Sequence, residues 1–223
     1  MASVVINQPY YYPQLHWWNR ALSADVVVLL DDVDHNTSFP VNRTIVYDGV
    51  KERYLTIPIK KEQKHKPIID IEIVDKTWPI KHRDMFINYY KNSKSNEQLK
   101  FFFDVIVSLE RVNYLHTVIH NSIISFINEL RWPFDPIYSS NLKLNGDVKK
   151  NDRLIEICKK VNADKLILGM GSKNYIDLEI NKYNDNGIQI EYQNWSCPVE
   201  NYSVLDTVAR YGLDRTKEIL YAK

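Results

Sequence analysis

The chain has 223 residues, of which 44% are hydrophobic and 26% are charged, and its 29 Lys and Arg against 28 Asp and Glu give a net charge of +1. This composition is typical of a folded globular protein and excludes both a disordered chain and a disulfide-stapled miniprotein. The small net charge argues against a nucleic-acid partner, and no apolar stretch approaches the ~20 residues that cross a bilayer, so we expect no membrane span.

The first elements predict a parallel sheet. Residues 4–6 are a short apolar run that stops before Pro9, residues 15–22 suit a helix, and residues 24–30 form a second apolar run. A strand, a helix and a strand in this order, with fully apolar strands, are typical of a parallel sheet that is covered on both faces.

The pattern changes over residues 34–75. Residues 44–47 and 54–57 are rich in β-branched and aromatic side chains, and the Asp-Gly pair that ends at Gly49 between them favours a hairpin. Residues 68–73 alternate between apolar and polar types and predict a third strand. We therefore predict an antiparallel β insertion over residues 34–75.

A helical segment is predicted for residues 78–132. Pro79 suits the first turn of a helix that continues to about Tyr90, with Thr77 near its cap. Apolar residues then recur every three or four positions over residues 96–130, which predicts one long amphipathic helix or two in series.

The rest of the chain returns to alternating elements. The predicted strands share short apolar runs and lie at residues 136–138, 165–168 and 188–192. The predicted helices share an amphipathic pattern and lie at residues 151–161, 174–183 and 204–211. The sequence as a whole predicts an α/β fold in a single domain, residues 1–223, with a mostly parallel sheet covered by helices.

Polar residues and glycines follow several predicted strands. In an open parallel sheet, ligands bind beyond the carboxyl ends of the strands, and this rule selects the following residues: Asn7, Gln8, Asp31, Asp32, Ser139, Ser140, Gly169 and Gly171. Each also has a structural explanation, since Asp and Ser are common in turns and caps and glycine permits tight turns. The pattern therefore fits two interpretations, a ligand-binding edge of the sheet and a row of ordinary turns.

Other reactive side chains give weaker signals. His82 titrates near neutrality and can accept a proton, while Lys81 can meet a phosphate, although a basic surface turn explains both equally well. His116 and His120 are four residues apart but are not part of a His-Glu-x-x-His motif, so we expect no metal site.

The cysteines and glycines exclude several familiar sites. Cys158 lies on the apolar side of a predicted helix and is expected in the core, whereas Cys197 precedes a proline and has no evident histidine partner for nucleophilic catalysis. No glycine-rich phosphate loop occurs, which argues against a P-loop or a standard dinucleotide site. The N-terminus has no basic and apolar regions of a secretory signal, so we expect a cytoplasmic protein.

An ordered series of short motifs carries a resemblance to a known family. The motifs occur in the same order as in that family, from residue 4 to about residue 212. They are INQPYYYP ending at Pro13, AD at 24–25, LDDV at 30–33, NR at 42–43, LTIP at 55–58, Trp78 with KH at 81–82, SSNL at 139–142, RLIEICK at 153–159, GMG at 169–171 with YID at 175–177, GI at 187–188 and SVLD at 203–206. In this series the chain resembles the WbqC-like family.

The resemblance implies an enzyme of bacterial O-antigen, lipopolysaccharide or other surface-polysaccharide biosynthesis. The implied reaction is N-aminoacyl transfer, of glycine for example, or N-acyl transfer to the amino group of a nucleotide-linked amino-dideoxy sugar. The candidate catalytic residues are those able to accept a proton or orient the amine: Asp31, Asp32 and His82. The candidate substrate-binding residues offer hydrogen bonds, positive charge, an aromatic face or an accessible backbone: Gln8, Tyr12, His16, Asn42, Arg43, Lys81, Ser139, Ser140, Gly169 and Gly171.

The expected partners follow from this chemistry. They are the nucleotide-linked amino sugar and an activated acyl donor, such as a carrier-protein or CoA thioester, with no bound cofactor and with ATP as the weaker expectation. One alternative is an adenylate-forming ligase or nucleotidyltransferase, because a helix begins near His16 after an early strand and a Pro-rich turn, although the second histidine and the glycine of the His-x-Gly-His motif are missing. A non-catalytic protein that binds a sugar nucleotide is the other alternative.

Overall fold

A computed structural model of the chain describes residues 1–36, 38, 40–63, 65–93, 96–132, 135–146, 148 and 150–222, without the side chains of residues 96–98 and 103. The predicted insertion and the predicted helical segment each therefore contain a few positions outside the described residues. The chain forms two compact units. The sheet unit comprises residues 1–8, 19–31 and 134–196, and the helical unit comprises residues 9–18, 32–133 and 197–223.

The strands and helices follow the predicted order closely. The strands are β1 (Ser3–Asn7), β2 (Val26–Leu29), β3 (Arg43–Tyr47), β4 (Glu52–Thr56), β5 (Ile137–Tyr138), β6 (Lys165–Leu168) and β7 (Gln189–Tyr192). The helices are α1 (Leu15–Leu22), α2 (Trp78–Tyr89), α3 (Asn96–Ser108), α4 (Leu115–Leu130), α5 (Lys150–Lys160), α6 (Lys173–Asp177), α7 (Ile180–Asp185), α8 (Val204–Tyr211) and α9 (Leu213–Tyr221). None of these helices combines the length and the apolar character needed to cross a membrane.

The sheet unit contains a five-stranded sheet in the order β5-β2-β1-β6-β7, in which every pair of neighbours is parallel. The predicted α/β fold is thus confirmed. The strands have few polar residues because both faces of the sheet are covered, and Val4 and Val28 are fully buried. Apolar side chains of α5 and α6, among them Ile157 and Ile176, complete the core of this unit.

The helical unit contains the predicted hairpin and the predicted helices. β3 and β4 pair in antiparallel fashion in a separate two-stranded sheet, with Gly49 at positive φ in the turn, so the antiparallel element is confirmed. The apolar pattern over residues 96–130 corresponds to two helices in series, α3 and α4, with a short 3-10 turn at Leu109–Arg111. Trp18 is fully buried in this unit, where it stacks on Trp132 with a centroid distance of 5.1 Å.

Two local predictions are wrong. Residues 68–73 do not form a strand, because Ile68–Asp70 is a 3-10 turn and only isolated bridges follow at Glu72 and Ile73. Residues 174–183 do not form one helix, because the helical backbone is interrupted between α6 and α7. Thr77 is the N-cap residue of α2 as predicted, although its hydroxyl makes no cap hydrogen bond and donates to Asp75 Oδ1 at 2.6 Å. Short alternating or amphipathic segments do not determine such details, since tertiary contacts override weak local preferences.

Candidate functional site

The carboxyl edge of the parallel sheet has a topological switch point. From β1 the chain proceeds to β2 and β5 on one side, and it then crosses to β6 and β7 on the other side. β1 and β6 are therefore the neighbours at which the strand order reverses. In open α/β sheets the crevice outside the strand ends at such a point is where ligands bind.

Asp31 organises the edge at β2 and β5. Its carboxylate is fully buried, and it accepts hydrogen bonds from the Ser140 amide at 3.0 Å, the Ser140 hydroxyl at 2.7 Å and the Ser139 hydroxyl at 3.3 Å. Both serines follow β5 directly, and Ser140 is exposed while Ser139 is buried. A hydroxyl that donates to a carboxylate keeps lone pairs that accept a further hydrogen bond. Asp31 thus fixes Ser140 as an accessible acceptor at this edge.

Arg20 organises the edge at β1, β6 and β7. This α1 residue is only 9% exposed, and its guanidinium donates to Asn7 Oδ1 at 2.8 Å and to Gln193 Oε1 at 3.0 Å. Asn7 is the last residue of β1, and Gln193 follows the last residue of β7. A Cβ atom at Gly169, directly after β6, would lie 2.7 Å from Arg20 Nη1. Three neighbouring strand ends therefore meet around one guanidinium.

The sequence-predicted residues of the sheet unit lie along this same edge. Gln8 follows β1 and is half-buried, Gly169 is half-buried after β6, and Gly171 is exposed two residues further on. Asp31 and Ser139 complete the set at the other end of the edge. Their roles in binding or catalysis stay predictions, but the parallel sheet brings these strand ends to one side of the unit.

Two residues of this edge were not predicted from the sequence. Gln193 follows the seventh strand, so the strand-end rule contained the signal that selects it. Asn7 was selected by that rule together with Gln8, because both stand at the end of the first predicted strand. Arg20 lies inside a helix and is marked by no local motif, so only the fold reveals its position.

The other predicted residues lie in the helical unit. His82 is buried there, with Nδ1 3.2 Å from the Tyr11 hydroxyl and Nε2 3.3 Å from the Thr56 carbonyl. Because a carbonyl can only accept, Nε2 carries the proton and Nδ1 accepts from Tyr11. Burial lowers the pKa of His82 from 6.5 to about 4, so its imidazole is neutral at pH 7. Its predicted catalytic role remains a prediction, and both ring nitrogens have partners within the protein.

The predicted binding residues of this unit each have local contacts. Asn42 donates to the Ile57 carbonyl at 2.7 Å, and its Oδ1 lies 3.2 Å from His35 Nε2. The remaining contacts follow the same pattern: the Arg43 guanidinium lies 4.3 Å from the Tyr54 ring centroid, Lys81 pairs with Asp75 at 2.8 Å, His16 Nδ1 lies 2.7 Å from Asn201 Nδ2, and Tyr12 is buried against Phe102. Asp32 is half-buried and is the first residue of the second segment of this unit. Their roles stay predictions.

Burial affects the chemistry of both cysteines. Cys158 lies in the core of the sheet unit as predicted, and burial raises the pKa of its thiol to about 12. Burial also raises the pKa of Cys197, which opposes thiolate formation. Within the described part of the chain no group of three or more His, Cys, Asp or Glu is placed to hold a metal ion.

The depressed pKa of His82 predicts a pH-dependent stability. In the unfolded chain His82 takes up a proton with its ordinary pKa of 6.5, whereas in the folded protein it does so only near pH 4. The free energy of unfolding therefore decreases as the pH falls from 6.5 towards 4. The pKa shift from 6.5 to about 4 corresponds to a total decrease of roughly 3 kcal/mol in the free energy of unfolding. In His82→Gln this loss is absent, so the stability difference between wild type and variant narrows over this range.

Urea unfolding at several pH values measures this effect. His65→Gln is the matched control, because His65 is exposed in the same unit. A constant difference between wild type and His82→Gln from pH 7 to pH 4 would show that His82 titrates normally in the fold.

Comparison with known proteins identifies the family. The model of the WbqC-like protein family matches residues 8–217 of the chain. Comparison with curated proteins and with solved structures found no match. The family match covers nearly the whole chain, including the edge residues from Gln8 to Gln193. The chain therefore belongs to the WbqC-like protein family.

Proposed function

We propose that the protein transfers an aminoacyl group, of the glycyl type, or another acyl group from an activated donor to the amine of a nucleotide-linked amino-dideoxy sugar. The observation that carries this proposal is the carboxyl edge of the sheet, where polar side chains follow β1, β2, β5 and β7 and Gly169 follows β6. Family membership supports it, since the resemblance to WbqC-like proteins implies this reaction in surface-polysaccharide biosynthesis.

The edge offers groups suited to a polar sugar. Ser140 is exposed and held by Asp31, so its hydroxyl can accept a hydrogen bond from a sugar hydroxyl. Gln8 follows β1, the neighbour of β2, and adds a side-chain amide that can both donate and accept. A preorganised set of such groups fixes the orientation of the substrate, which lowers the entropic part of the barrier to reaction.

The proposed reaction balances without a covalent enzyme intermediate. The sugar amine attacks the thioester carbonyl of the donor, the C–N bond forms, the C–S bond breaks and the thiol leaves. The amine loses one proton, for which Asp31, Asp32 and His82 are the predicted acceptors. Asp31 is the one of these that lies on the sheet edge itself.

Mass spectrometry of the products separates this function from its alternatives. The protein is incubated with a nucleotide-linked 4-amino-4,6-dideoxyhexose and either a glycyl thioester or glycine with ATP. We expect the amide product with the thioester alone. Product only with ATP, accompanied by release of AMP or pyrophosphate, would instead indicate an adenylate-forming ligase, which the nucleotide-binding type of strand order favours as the second candidate. Binding without any product would indicate a non-catalytic role.

A further inference from the structure

Arg20 occupies an unusual position for an arginine of a helix. Its side chain is buried and its guanidinium lies at the switch point of the sheet, where two strand-end amides hold it. The two acceptors, Asn7 Oδ1 and Gln193 Oε1, are neutral amide oxygens, and they orient the guanidinium. Gln193 is itself fixed, because its Nε2 donates to Asn19 Oδ1 at 2.7 Å. The cation is thus positioned by a hydrogen-bonded chain of three amides.

A second donor lies beside this cation. Arg20 can only donate, so the Asn7 amide must present its oxygen to the guanidinium and direct Nδ2 elsewhere. The Asn7 residue is only 8% exposed, and its Nδ2 has no acceptor among the described residues. An unpaired buried N–H group is unfavourable in a folded protein, and a bound acceptor removes that cost.

Gly169 makes the arrangement possible. A Cβ atom there would come within 2.7 Å of Nη1 and 3.4 Å of Cζ, so any other residue forces the guanidinium to move. The backbone at Gly169 has φ −75° and ψ 150°, which every residue type can adopt. The absence of a side chain is therefore needed for the position of Arg20 and not for the backbone turn.

From these observations we infer that Arg20 and Asn7 form an anion-binding subsite for the diphosphate of a nucleotide-linked substrate. Guanidinium groups bind phosphate oxygens through paired, charge-assisted hydrogen bonds, and Asn7 Nδ2 supplies a further donor. The subsite lies at the switch point, where open α/β sheets bind phosphorylated ligands. The inference deepens the proposed function and rests on it for the identity of the substrate, while the anion site itself does not require acyl transfer.

Binding of inorganic pyrophosphate, followed by isothermal titration calorimetry, tests the subsite. Gly169→Ala displaces the guanidinium without removing any hydrogen-bonding group, and we expect it to weaken binding by about 10-fold to 100-fold, the equivalent of one charge-assisted interaction. Gly146→Ala is the matched control, because a Cβ atom at Gly146 meets no described atom within 4 Å. It should bind pyrophosphate as the wild type does.

Two further variants sharpen the result. Arg20→Gln should lose binding at least as strongly as Gly169→Ala, and Arg20→Lys should recover only part of it, because an ammonium cannot form the paired bonds. Circular dichroism establishes that each variant is folded, and Gly169→Ala alone decides the question if the Arg20 variants unfold. Wild-type protein that fails to bind pyrophosphate at millimolar concentration, or Gly169→Ala that binds as well as wild type, would overturn the inference. Binding through Arg20 in a protein that forms no amide would refute the proposed function and leave the anion site standing.

Discussion

Replacing Asp31 with Asn is expected to reduce the rate of amide formation by about 100-fold, because the substitution misplaces the residues that follow β5. Asp31 accepts from the Ser140 amide, the Ser140 hydroxyl and the Ser139 hydroxyl. An asparagine of the same size offers one acceptor oxygen and directs an NH₂ group at a donor. The loop must then shift or leave a donor unpaired, at a cost of about 1 to 3 kcal/mol in the free energy of unfolding.

The measurement is the steady-state rate with the nucleotide-linked amino sugar, together with urea unfolding of the same preparation. Asp185→Asn is the control, since Asp185 is exposed at the end of α7 and its replacement removes the same charge. Asp185→Asn should keep the wild-type rate. Full activity in folded Asp31→Asn would show that the Ser139 and Ser140 loop does not take part in the reaction.

Replacing Asp206 with Ala is expected to lower the free energy of unfolding by about 2 to 6 kcal/mol at pH 5, because two donors lose their acceptor at about 1 to 3 kcal/mol each. Asp206 is 1% exposed, and its Oδ1 accepts from the Tyr90 hydroxyl and, at 2.7 Å, from the Tyr47 amide. Its Oδ2 lies 3.6 Å from the Arg210 guanidinium. Asp206 therefore joins α8 to β3 and to the end of α2 within the helical unit.

The cost of Asp206→Ala should also depend on pH. Burial raises the pKa of Asp206 from 3.8 to about 6, so the folded state holds a proton that the unfolded chain releases. This contribution to the free energy of unfolding is fully present below pH 3.8 and is lost as the pH rises through 6. The total loss is roughly 3 kcal/mol. The direction is opposite to that of His82→Gln, so the two variants together separate the two titrations.

Urea unfolding of Asp206→Ala, Tyr90→Phe and the double variant between pH 4 and pH 8 measures both effects. The two substitutions should not be additive, because both remove the same hydrogen bond. Asp214→Ala, an exposed change in the first turn of α9, should cost less than about 1 kcal/mol. A cost of Asp206→Ala below that of Asp214→Ala would contradict the role given to this network.

The sequence predicted the architecture well because its signals were strong. The apolar runs of β1, β2 and β6 and the amphipathic residues 204–211 have clear periods, and their positions in the structure agree to within about two residues. Residues 68–73 were misassigned because a short alternating segment fits several backbone conformations. The helix α9 was missed because no clear stop or start signal separates it from α8 apart from Gly212, which adopts positive φ.

The candidate site was only partly visible in the sequence for a different reason. Strand-end residues such as Ser139 and Gly169 can be selected by a rule, because a parallel sheet brings all carboxyl ends to one edge. Arg20 cannot, since its role depends on the direction of a long side chain and on the space left at Gly169. The spatial neighbours of Gly169, rather than its place in the sequence, explain why a glycine stands there.

A crystal structure with the nucleotide-linked sugar will show whether the carboxyl edge of the parallel sheet binds this ligand. We expect the diphosphate to contact Arg20 and Asn7 and the sugar to lie towards Asp31 and Ser140. Density for the ligand elsewhere on the molecule, with this edge unchanged and empty, would contradict this expectation.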